Sequence, residues 1–129
     1  MARPKKSLLF TIIGLALLYS SCTTIDPMTD LVIQSYNLGV ANMQLGNTKE
    51  AENAFLYALQ EYPEYTDAAF DLALLYQGTE AYQDSLEIVN HFITDNYEQK
   101  DWRLLEAYLL YKSGETTKAL GRYDLILDS

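Results

Sequence analysis

The sequence holds one cysteine, Cys22, and one histidine, His91. A lone thiol cannot close a disulfide within the chain, so the folded part is held by packing. With no second cysteine or histidine, the usual ligand set of a zinc site is missing. No G-x-S-x-G, G-x-G-x-x-G or Walker sequence occurs. His91 stands among acidic and polar neighbours, a setting for a solvated histidine rather than a member of a Ser-His-Asp triad. The acidic pairs Glu50/Glu52 and Glu61/Glu64 read as solvated helix faces or turns. These absences point away from an enzyme, and neither cofactor nor metal is expected. Basic residues are also scarce, with 9 Lys and Arg against 18 Asp and Glu and a net charge of −9. Phosphate backbones are bound by clustered Lys and Arg, so nucleic acid is excluded as a partner. There is no strand-like alternation of useful length and no low-complexity tract.

The charge is unevenly placed. Arg3, Lys5 and Lys6 are the only charged residues before Cys22, leaving 18 acidic against 6 basic residues beyond them, a formal −12. Such a body is not held on an anionic lipid surface by electrostatics. Residues 1–21 read as an export signal: the three cations precede an apolar run over 8–18. That run is shorter than the roughly 20 residues needed to span a bilayer. Ser20, Ser21 and Cys22 follow, an arrangement that resembles a bacterial lipoprotein signal, although Tyr19 stands where leucine is usual. The resemblance implies cleavage before Cys22, lipid on its thiol, and attachment to the membrane on the periplasmic side. Thr23, in place of an aspartate, favours the outer over the inner membrane. Alternatives for Cys22 are a buried core thiol and an uncleaved signal anchor. The resemblance then implies that residues 22–31 form a lipidated tether.

Beyond the tether a pattern of small and large residues recurs every 34 positions. Gly39 becomes Ala73 and Ala107; Ala51 becomes Ser85 and Ala119; Phe55 becomes Val89 and Tyr123; Leu59 becomes Ile93 and Leu127; Gly46 becomes Glu80 and Gly114. Small residues let two helices approach and large ones fill the space beside them. Pro63 stops the second helix of the first copy, since a prolyl nitrogen donates nothing to the helical ladder. With this period, Leu38-Gly39, Ala51-x3-Phe55 and Pro63 resemble the tetratricopeptide repeat family. The copies are imperfect. Ser35 and Asn42 replace the family's Trp and Tyr, and Tyr97 stands at the second proline position. The resemblance implies an all-α fold, a right-handed α-solenoid of about three helix-turn-helix repeats over 32–129, at about 32–65, 66–99 and 100–129. The bland alternative is an unrelated helical bundle.

The local signals agree with six helices. Asp26-Pro27 reads as a helix start, with the first helix over about 28–45. Asn47, with Glu50 three residues on, resembles a capping box for a helix ending near 62. Thr66-Asp67 opens the second repeat, whose first helix breaks at Gly78. Thr79 is a candidate N-cap for the next helix, which runs to about 93. Residues 100–112, with the sole tryptophan Trp102, and 115–127 complete the third pair. Leu38, Phe55, Leu59, Leu72, Val89, Phe92 and Ile126 are the candidate seam residues.

In the resembled family the first helices line a concave groove. The matching positions are Tyr36, Val40 and Met43; Phe70, Leu74 and Gln77; and Leu104, Tyr108 and Tyr111. This lining is apolar and aromatic, suited to apolar anchors of a protein or peptide. Related co-chaperones hold a C-terminal carboxylate there with Lys, Arg and Asn. Here those positions are Tyr36, Val40, Asp71, Asp101 and Leu105, so that ligand is excluded. Leu109, Leu125 and Leu127 suggest an apolar end face and self-association. The expected function is that of an envelope scaffold. The alternative is a periplasmic small-molecule-binding accessory of an uptake system.

Overall fold

The computed structural model describes residues 29–93 and 99–128. The expectations for residues 1–28, including Cys22, and for Tyr97 lie outside them. Within the described residues the chain forms helices only: α1 (Asp30–Leu45), α2 (Thr48–Glu61), α3 (Thr66–Gly78), α4 (Tyr82–Phe92), α5 (Lys100–Lys112) and α6 (Thr116–Leu127). No helix among the described residues is long and apolar enough to cross a membrane.

The helices pack as three antiparallel-type pairs, α1 with α2, α3 with α4 and α5 with α6, and each pair leans on the next. This α-solenoid is the architecture that the 34-residue period implies. The turns inside the pairs repeat with the same period. At Gly46 the backbone is left-handed, with φ 76°, and again at Glu80 (64°) and Gly114 (87°). Each of the three closes the same helix terminus. The amide after it returns to a carbonyl five residues back: Asn47 to Asn42 at 2.9 Å, Ala81 to Tyr76 at 2.9 Å and Glu115 to Leu110 at 2.9 Å. This six-to-one bond satisfies carbonyls that the helix end would leave orphaned.

Inside each pair, small faces large. Gly39 lies against the fully buried ring of Phe55, where even a Cβ would come within 2.6 Å of ring carbons. Ala51, Ser85 and Ala119 are all buried. The Ser85 hydroxyl is accommodated because it donates to the Ala73 carbonyl at 2.7 Å, which removes the cost of burying an unpaired polar group. One core cluster holds Val32, Phe55, Ala58, Tyr65 and Leu72. A second holds Val89, Trp102, Leu105, Leu109 and Ala119.

Several local expectations change. Leu38 is not a seam residue: it is 58% exposed, whereas Leu72, 34 positions on, is 1% exposed. Leu72 has α2 to pack against; no helix among the described residues precedes α1. Leu109 is fully buried in the second cluster, so it is not part of an end face; Leu125 and Leu127 remain exposed. Asn47 occupies the N-cap position of α2 without a side-chain capping bond, because its amide donates to Asn42 Oδ1 at 3.1 Å instead. Thr79 closes α3 rather than opening α4: its hydroxyl donates back to the Leu75 and Tyr76 carbonyls. Trp102, which no repeated position marks as a core residue, is buried, edge-on to Phe70 at 5.0 Å and stacked on Phe92 at 5.6 Å.

Candidate functional site: an apolar cleft between α3 and α5

Along α3, Phe70, Leu74 and Gln77 are spaced i, i+4 and i+7, which puts them on one face. Along α5, Asp101, Leu104, Leu105 and Tyr108 share a face for the same reason. The two faces meet across a cleft of about 550 Å³ lined by these seven residues. That volume falls in the range of ligand-binding clefts, about 300–1,000 Å³. Leu104 stands at the rim, 40% exposed, while Phe70, Leu74, Gln77 and Tyr108 are half-buried. Trp102 and Phe92 back the wall of the cleft, so the Phe70 ring is held from behind. The cleft is polarised along its length. Asp101 lies in the first turn of α5, and Lys112, in its last turn, holds its ammonium 5.8 Å from the Tyr108 ring centre, a cation–π distance.

Five of the nine groove residues named from the sequence line this cleft: Phe70, Leu74, Gln77, Leu104 and Tyr108. The other four lie elsewhere. Tyr36, Val40 and Met43, on α1, pack against the first core cluster. Tyr36 also bridges to the next repeat, its hydroxyl donating to Asp71 Oδ2 at 3.0 Å. Its ring lies 5.0 Å from Tyr65 and 6.0 Å from Phe55. Burial, and then the Asp71 carboxylate, push the Tyr36 phenol up to about 12. Burial also raises the Asp71 carboxyl, opposed by the bond from Tyr36. Tyr111 is largely exposed and does not line the cleft. Asp101 and Leu105, noted from the sequence only as departures from a carboxylate clamp, complete the lining.

Two other depressions lie where first and second helices meet. One, of about 890 Å³, involves Asp84, Glu87, Glu106, Glu115, Lys118 and Arg122. Its cations are already paired: Arg122 Nε donates to the buried Glu106 at 3.0 Å, and Lys118 pairs with Glu115. Glu106 is a buried charge at the position of Leu38 and Leu72, a substitution the period alone did not flag. The other, of about 410 Å³, includes His91 with Leu56, Leu59 and Phe92. His91 is exposed there, its ring edge-on to Phe92 at 5.1 Å. Among the described residues no group of His, Cys, Asp and Glu is arranged to hold a metal ion.

Residues 35–65 match the model of the tetratricopeptide repeat. The chain carries a tetratricopeptide repeat. Two solved structures of MamA share the fold, each with a TM-score of 0.70 and 19% sequence identity over 80% of this chain. The chain spans 55% and 59% of those proteins' own length. No curated protein matches it in sequence. The matched residues lie mainly in α1 and α2; the α3/α4 and α5/α6 pairs repeat the same helix-pair architecture in the same register, with the cleft on the side formed by their first helices.

Proposed function

We propose that this tetratricopeptide protein is a non-catalytic adaptor of the bacterial cell envelope, tethered to the membrane by lipid on Cys22, that holds a protein partner in the α3/α5 cleft. The observation that carries the reading is the cleft itself. Leu104 stands exposed at its rim, and Phe70, Leu74 and Tyr108, which pack against the second core cluster, turn their remaining apolar surface to the cleft. An exposed apolar concavity of this kind is a recognition surface. A cleft walled by two helices, with Leu104 at an open rim, favours a protein segment over the alternative of an enclosed small molecule.

The tether rests on the sequence of residues 1–22. Two acyl chains give stable attachment, with each buried methylene adding about 0.8 kcal/mol; the acidic body supplies no attraction of its own. Two measurements test the reading. Palmitate labelling of the wild type should disappear in Cys22→Ala, and labelling that persists unchanged removes the lipid tether. A specific protein recovered with the chain from crosslinked envelopes should be lost in Leu104→Ser/Tyr108→Ala; retention in that variant moves the site away from the cleft.

A further inference from the structure

The apolar cleft does not end at Asp101. A second depression of about 270 Å³ adjoins it, lined by Thr66, Asp67, Phe70, Gln99, Asp101 and Trp102. The two share Phe70 and Asp101. Asp67 and Asp101 occupy the same register position, 34 residues apart, in the first turns of α3 and α5. Neither depression has a Lys or Arg in its lining. Asp71 lies near Asp67, close enough that both carboxylates act on the Tyr36 phenol.

The geometry points to a partner of one chemical kind: an extended peptide segment that places an apolar side chain in the α3/α5 cleft and a lysine or arginine between Asp67 and Asp101. This rests on the cleft being the recognition surface and adds the charge of what it recognises. Two carboxylates in a hollow whose lining has no Lys or Arg repel an acidic segment and attract a cationic one, and fixed charge of this kind supplies register and specificity. Lys112, at the far end of Tyr108, repels a cation entering the wrong way round, so it sets the direction of the segment. An extended strand advances about 3.3 Å per residue, so a cation within about three residues of the anchor reaches from one depression to the other. Asp67 and Asp101 also complement the dipoles of their own helices. That role alone predicts an effect on stability without an effect on peptide choice.

The test is a random dodecamer library displayed on phage and selected against the full chain in detergent micelles. The enriched peptides are then synthesised and their binding measured by fluorescence anisotropy. Expected are peptides with Leu, Ile, Phe or Trp within about three residues of Lys or Arg. Their affinity should fall at least tenfold in Asp67→Asn/Asp101→Asn and be lost in Leu104→Ser. All three positions are exposed, and circular dichroism confirms that the variants fold. Peptides lost in Leu104→Ser but showing neither basic enrichment nor sensitivity to the Asp variants overturn the charge assignment and leave the cleft as the site. If no selected peptide depends on Leu104, the cleft reading fails, and the charge assignment with it.

Discussion

Gly39 and Phe55 fit together because one has no side chain. A Cβ on residue 39 would lie 2.6 Å from the Phe55 Cδ1 and Cε1 atoms, and that ring is fully buried. At the corresponding places in the next two pairs, alanine faces Val89 and Tyr123. Where the opposing residue is a buried phenylalanine, only glycine is small enough. Gly39→Ala should therefore destabilise the fold by about 1–3 kcal/mol through overpacking, although alanine favours a helix by about 1 kcal/mol. Phe55→Val alone leaves a cavity and should also destabilise. The double variant, with the Ala-Val pairing of 73 and 89, should lose less than the sum of the two. Urea unfolding of the four chains gives this coupling directly; strict additivity would mean that the two residues do not share their space.

The same register position behaves differently in successive repeats. Leu38→Ser should change stability by no more than about 0.5 kcal/mol, as for other exposed sites. Leu72→Ala should cost about 2–5 kcal/mol, as a buried leucine does. Equal losses in thermal denaturation would show that the face carrying Leu38 is covered in the folded protein.

Glu80 holds a left-handed backbone, φ 64°, where its two counterparts are glycines. That conformation costs a side-chain-bearing residue about 1–2 kcal/mol. Glycine relieves it but gives back about 0.4–1 kcal/mol through a freer unfolded chain. Glu80→Gly should stabilise the protein by up to about 1 kcal/mol, read as a higher urea midpoint at unchanged slope.

Two tyrosines tie the first repeat to the second. Tyr36 donates to Asp71, and Tyr76 donates to Glu52 at 2.9 Å. Burial first, and then the accepting carboxylate, push both phenols up to about 12. The folded state therefore holds these protons more tightly than the unfolded chain, whose phenols titrate near 10. The stability linked to them is fully present below pH 10 and is lost as the pH rises towards about 12. Urea midpoints measured from pH 9 to 12 should fall steeply in the wild type and less steeply in Tyr36→Phe/Tyr76→Phe. Parallel curves would show that these bonds carry no alkaline sensitivity.

The repeat was legible because its contacts are set by size at fixed intervals, and size is visible in sequence. The small-large pairs of 39 with 55 and 73 with 89, and the turns at Gly46 and Gly114, follow from the period; the left-handed backbone at Glu80 does not, because a side-chain-bearing residue stands where its counterparts are glycines. Position 38 was misread because a period states what a residue is built to face, not whether a helix is there to face it. Trp102 was missed for a related reason: its register partners are Gln34 and Ala68, so no repeated pattern marks it as a core residue. The groove was legible as a face but not as a cleft. Tyr36, Val40 and Met43 share the register of the α3 and α5 lining and pack against a core cluster as Phe70, Leu74 and Tyr108 do, yet they do not line the cleft, and Tyr36 is tied to Asp71. Asn47 and Thr79 were plausible caps, but short polar side chains choose among several nearby backbone and side-chain partners, and sequence does not rank them.

The central claim is that the α3/α5 cleft is where this protein meets its partner. The most direct measurement replaces Leu104, at the cleft rim, with a photo-reactive benzoylphenylalanine in living cells, and Tyr57, exposed on α2, in a parallel strain. A discrete light-dependent adduct is expected from position 104 and none from position 57. An adduct from position 57, with none from 104, would contradict the claim and place recognition on the second helices.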